Sequence, residues 1–170
     1  MGKGKMDAVL KKLNVPVDLA CEFLAVFARS EFALKAAGFA NGNEKQAEAN
    51  WEAFAEAIAK AFDPSKTQEL NAAVEYLLKY PPKKQVLINK KLEFVDATPD
   101  NNKSKVQQVL LMVRRVRNNL FHGGKFLPGP PSDPKRDALL VEYSLTVLHA
   151  CIPLHGNVSI AYTEPESDKA

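Results

Sequence analysis

Arg114-Arg115-Val116-Arg117-Asn118-Asn119-Leu120-Phe121-His122-Gly123-Gly124-Lys125 sets three arginines and a histidine into the end of an apolar stripe and then breaks off in a glycine pair. With each residue placed about 100° further around a helix, Val106, Val109, Leu110, Val113, Val116 and Leu120 share one face. Arg117 falls inside that face, between Val106 and Leu110. A guanidinium is always charged and is almost never buried without a partner, so the position calls for a carboxylate, a phosphate or a second chain. The helix is expected over Lys103 to His122, because glycine is preferred just past a helix C-terminus and two in mid-helix would cost about 2 kcal/mol relative to alanine. His122 then sits on the last turn, where unpaired carbonyls favour imidazolium and raise its pKa. Arg114, Asn118 and His122 follow at i, i+4 and i+8 and form one polar edge beside Arg117.

Working outward, the pattern is that of a mainly α protein. Val15 to Gly38 reads as a helix with Ala20, Phe23, Leu24, Phe27, Leu34 and Gly38 on one face and Asn14 or Asp18 as caps. Glu31 lies in that face, and a carboxylate in one apolar stripe with a guanidinium in another predicts a facing pair, Glu31 orienting Arg117. Asn41-Gly42-Asn43 is a turn. Lys45 to Phe62 is expected as a second helix through Ala47, Trp51, Phe54, Ile58 and Phe62, and Thr67 to Tyr80 as a third, stopped by Pro81-Pro82. Trp51 and the phenylalanines are assigned to the core rather than to a base-stacking platform. A short inserted β-hairpin is expected over 85–95, around Asn89-Lys90-Lys91. Gly123 to Asp133, rich in glycine and proline, is read as a loop beside the motif, and Asp133-Pro134 starts a helix to about Ala150. Val158 to Tyr162 reads as a short strand. His149 and His155 are read as capping or surface residues.

The organisation expected is a basic leader over 1–14, one helical domain over 15–162 with about five helices, and an acidic tail over 163–170. A chain of 170 residues can bury one substantial core but not two ordinary ones. Its 46% hydrophobic and 25% charged residues suit a globular protein. No window is expected to span a membrane, and the start Met1 to Met6 does not lead into a signal-peptide core, so a cytoplasmic location with no membrane partner is expected. Cys21 and Cys151 form no metal-ligand pattern and are expected as small core residues in a reducing compartment; no metal or cofactor is expected. The net charge is +3, unevenly spread: residues 83–125 hold ten Lys or Arg against three acids, the rest thirteen against seventeen. The basic block contains the motif, which points to a polyanion.

The spacing of Arg117, a polar residue and then His122 after four intervening positions resembles the signature of the HEPN superfamily. Phe27-Ala28-Arg29-Ser30-Glu31-Phe32-Ala33-Leu34-Lys35-Ala36-Ala37-Gly38-Phe39 resembles the first long helix of a bacterial branch of that superfamily, and Arg117 to Lys125 its motif helix, bracketing roughly 100 residues. The resemblance implies a HEPN-like helical bundle and a metal-independent endoribonuclease whose composite site forms where two motif helices meet in a homodimer. It also implies a toxin or anti-phage effector with an antitoxin or defence-system partner. Arg117, His122 and Asn118 are the candidate catalytic residues, Glu31 their support, and Arg114, Arg115 and Lys125 the candidate RNA contacts. In one toxin branch a tyrosine stands two positions after the histidine; here that position is Gly124, so regulation through a modified tyrosine is not expected. The alternatives are a non-catalytic RNA- or nucleotide-binding or scaffold module, and a purely structural helical dimer in which Arg117 serves only Glu31.

Overall fold

A computed structural model describes residues 13–121 and 133–164 of the chain. Among these the architecture is mainly helical, with six α-helices and two small antiparallel hairpins. They are α1 (Val17–Ala36), β1 (Ala40–Asn43), β2 (Gln46–Ala49), α2 (Trp51–Ile58), α3 (Gln68–Lys79), β3 (Lys84–Ile88), β4 (Lys91–Val95), α4 (Lys105–Phe121), α5 (Pro134–Cys151) and α6 (Gly156–Thr163). Two short 3₁₀ turns, Pro64–Lys66 and Ile152–Leu154, complete the path.

α5 is the axis of the bundle and packs against α1, α3 and α4, while α6 lies on α1 and α2 on α4. Every member of the α4 stripe read from the sequence is buried, and Met112 joins it. Local caps set the starts of the helices. Thr67 accepts from Leu70 N at 3.1 Å to begin α3, and Asp133 accepts from Lys135 N and Arg136 N at 3.0 and 3.1 Å to begin α5, with Pro134 in the first turn. Arg136 also donates to the carbonyls of Tyr80 and Pro81, tying the end of α3 to the start of α5. At 21 residues, Pro134–Leu154 is by length and composition apolar enough to cross a membrane, contrary to the expectation that no window is. The physical reason is its place in the bundle: half of that window is buried, and a helix with neighbours on several sides is apolar nearly all round.

The expected hairpin over 85–95 is present as β3 and β4, with Asn89 and Lys90 at φ 49° and 63° forming a two-residue turn. Four further expectations are corrected. The helix drawn from Lys45 starts only at Trp51, because β1 and β2 pair over 40–49. Asn50 decides this boundary: its side chain accepts from Ala53 N at 3.0 Å and donates to Asn41 Oδ1 at 2.9 Å, while its backbone N–H reaches Phe39 O at 2.9 Å. The hairpin needs Gly42 at φ +130°, where a Cβ would meet Gln46 O at 1.9 Å.

The strand expected over 158–162 is instead α6. Val158 is buried while Ile160 is 53% exposed, which is not the alternation of a strand. The last carbonyls of α6 are met by Arg29 of α1, which donates to Ala161 O and Tyr162 O at 2.9 Å each and to Glu164 O at 2.5 Å. Neither Asn14 nor Asp18 caps α1; Pro16 holds that position without a side-chain bond, and Asn14 adopts φ 57°. Finally, Leu24 and Cys21 are exposed rather than core, because the buried face of α1 is Ala20, Phe23, Phe27, Ser30, Ala33 and Leu34. Ser30 is tolerated there by donating to Val26 O at 2.8 Å. Cys151, by contrast, is fully buried as expected.

Candidate functional site

The end of α4 meets α1 in a ladder of rings and charges. Phe121 stacks on Phe23 with centroids 6.0 Å apart, Phe23 meets Phe27 edge-on at 6.0 Å, and the Arg117 guanidinium lies 5.0 Å from the centre of the Phe27 ring. One rung further along α1, Glu31 Oε2 accepts from Arg117 Nη2 at 3.3 Å. The facing pair expected from the sequence is therefore formed. The two helices run in opposite directions along the ladder, so positions four apart on α1 (Phe23, Phe27, Glu31) meet positions four apart on α4 (Phe121, Arg117).

Glu31 is held from its other oxygen by Trp51 Nε1 of α2, 3.5 Å from Oε1. Trp51 in turn packs on Phe27 with centroids 5.1 Å apart. Phe27 and Trp51 are thus parts of the site that sequence reasoning placed only in the core. The signal for Phe27 was present: it stands four residues before Glu31, on the same side of α1. An arginine over an aromatic face and against a carboxylate is held in place from two sides. The pair remains partly open, with 26% of the Arg117 side chain and 31% of the Glu31 side chain exposed. Arg117 Nη1 donates to Asn118 Oδ1 at 3.1 Å, so the amide of Asn118 is turned toward the guanidinium at the protein surface.

The other cations divide. Arg114 is exposed on the α2 side of α4, where its charge, secondary to the hydrogen bond from Lys103, helps hold the Glu52 carboxyl below its ordinary pKa. Arg115 points to the opposite flank, donating to Ala97 O at 2.7 Å and touching Met112 Sδ, and burial lowers its pKa. It holds the chain leaving β4 and does not join Arg117. Asn119, which sequence reading left unassigned, donates to Lys83 O at 3.0 Å and fixes the chain entering β3. His122 and Lys125 lie outside the described residues, as does the loop expected over Gly123 to Asp133 up to residue 132.

The described constellation is a braced, partly exposed guanidinium beside a surface amide. Such a group can bind an oxyanion such as a phosphate and hold it in a defined orientation. His155, one of the two other histidines, packs edge-on against Phe39 with centroids 4.9 Å apart, and its Nδ1 is buried with no partner among the described residues. It is far in sequence from the ladder and takes no part in it. His149 is exposed on the last turn of α5. Compared with known proteins, the chain matches no family model, no curated protein and no solved structure.

Proposed function

We propose that the chain is a metal-independent endoribonuclease of the HEPN type, acting as a homodimer, and that Arg117 is its phosphate-binding residue. The observation that carries the reading is the bracing of Arg117: Glu31, Phe27 and Asn118 hold a partly exposed guanidinium near the end of a helix whose sequence continues into His122. An arginine held from behind by a carboxylate meets a phosphodiester without first losing the entropy of a free side chain.

The reaction requires the RNA 2′-oxygen to attack its own phosphorus while the bond from phosphorus to the 5′-oxygen breaks, leaving a 2′,3′-cyclic phosphate and a 5′-hydroxyl. Arg117 binds the scissile phosphate and the charge that grows on it, and Asn118 donates to a phosphate oxygen or holds the guanidinium. His122 accepts the proton of the 2′-hydroxyl, and His122 of the partner subunit gives a proton to the leaving 5′-oxygen. One imidazole cannot be base and acid in the same step, which is the chemical reason for a dimer. Arg114 and Lys125 bind neighbouring phosphates. Arg115 is assigned to the fold instead, since it is spent on the carbonyl of Ala97. A toxin or phage-defence role, with an antitoxin or defence-system partner, belongs to the same proposal and rests on the sequence resemblance.

The test is incubation of the purified chain with end-labelled RNA in EDTA. Cleavage that persists, leaves cyclic-phosphate ends and vanishes in His122→Ala and Arg117→Ala supports the nuclease; RNA retention without products overturns it. A second reading, the non-catalytic RNA- or nucleotide-binding module, is favoured by one observation: the Glu31 pair that positions Arg117 also offsets part of its charge. Salt-dependent RNA binding in the absence of any cleavage would select it.

A further inference from the structure

The β3–β4 hairpin carries the most exposed large apolar side chain among the described residues, and its exposed apolar groups all lie at its turn end. Leu87 is 71% exposed and stands directly across from Leu92, 45% exposed, while the next residue, Ile88, is 42% exposed. Nearer the base, Val86, Phe94 and Val95 are half-buried. Hydrogen bonds hold the ribbon to the bundle at that base, from Asn119 to Lys83 O and from Arg115 to Ala97 O. Three exposed lysines share the same short ribbon: Lys84, Lys90 in the turn and Lys91 across from Ile88. None of these three forms an ion pair among the described residues, and Glu93 is the lone acid between Lys84 and Val95.

We propose that this hairpin tip is a peripheral docking element for an anionic lipid surface, with Leu87, Ile88 and Leu92 entering the headgroup boundary and Lys84, Lys90 and Lys91 meeting lipid phosphates. The distribution of the groups selects this occupant. Strand addition to another protein would be carried by main-chain hydrogen bonds along an open edge and gives no reason for large aliphatic groups gathered at the free end. A nucleic acid would match the lysines but leave three large aliphatic groups in water, since bases are received by aromatic faces. A membrane surface satisfies both at once, because aliphatic tips enter the boundary while lysine stems snorkel back to the phosphates. The contact is peripheral and independent of the nuclease reading; it assigns a lipid surface to a ribbon inside the basic block, where the sequence alone suggested a polyanion and no membrane.

The test is co-sedimentation of the full chain with vesicles of phosphatidylcholine alone or mixed with phosphatidylglycerol. Binding is expected only to the anionic vesicles, weakened roughly tenfold or more in Lys90→Glu/Lys91→Glu and likewise in Leu87→Ser/Leu92→Ser, with helical circular dichroism unchanged in both. In Leu87→Trp, a blue shift of tryptophan emission on adding anionic vesicles is expected, over the constant signal of buried Trp51. Absence of binding, or equal binding by the leucine variant, overturns the proposal. So does a leucine variant whose only change is a smaller oligomer by light scattering, which would make the tip a contact with a second copy. Lysine variants that lose RNA while vesicle binding stays intact would overturn it in favour of nucleic acid.

Discussion

Glu31 and Arg117 show how a single side chain in the wrong stripe announces its partner. Each was anomalous in its own helix, and the two anomalies cancel across 3.3 Å. Because about a quarter to a third of each side chain stays in water, the pair contributes only about 0.5–1 kcal/mol. Glu31→Gln is therefore expected to lower stability by less than about 1 kcal/mol, yet to reduce RNA cleavage roughly tenfold by releasing Arg117 from its orientation; urea melts and cleavage rates of one preparation check both. Phe27→Ala, which empties a site 3% exposed beneath the guanidinium, is expected to cost about 3–5 kcal/mol in the same melts. The cysteines offer a second residue-scale test. Burial pushes the Cys151 thiol far above its ordinary range, while Cys21 is exposed. Brief alkylation of the folded protein at mildly alkaline pH should label Cys21 alone, and both only in denaturant, by peptide mass mapping; labelling of Cys151 in the native state would contradict the packing of α5.

Elements were legible where a single apolar stripe entered the core and illegible where hydrogen bonds, rather than a period, set the boundary. α4 could be read from its period because a single apolar face enters the core. α2 could not be placed from its own period, since Ala47 continues the spacing of Trp51, Phe54 and Ile58 yet lies in an exposed strand. What ends the hairpin and begins the helix is the bonding of Asn50 to both, and Asn50→Ala is expected to cost about 1 kcal/mol with loss of protection at the Ala53 amide in hydrogen exchange. α6 was misread for a related reason. Its eight residues include Val158, Ile160 and Thr163, which favour strands in isolation, but Arg29, more than 130 positions away, satisfies its terminal carbonyls. Arg29→Ala should cost about 1–3 kcal/mol and fray α6 selectively, as faster exchange over 158–163 than over α1.

At the scale of the whole molecule, α5 is the element on which the others converge, and its buried Leu140, Val141, Leu145, Val147, Leu148 and Cys151 make it the expected slowest-exchanging segment. The β3–β4 hairpin, held mainly at its base, should exchange fastest among the regular elements; a mass-spectrometric exchange profile with the reverse order would refute this packing. The amino-acid sequence by itself determined the helical class, the apolar face of α4, a hairpin over 85–95 and the need of Arg117 for a partner, with Glu31 the facing acid it offered. Those are consequences of local period, turn chemistry and the cost of burying charge, all of which act within one segment or on one residue. Tertiary structure alone decided the helical state of α6, the bracing of Glu31 by Trp51 and the docking of Arg115 on the carbonyl of Ala97. Each of these depends on a hydrogen bond or a contact from a residue remote in sequence, and no periodicity within the segment carries that information.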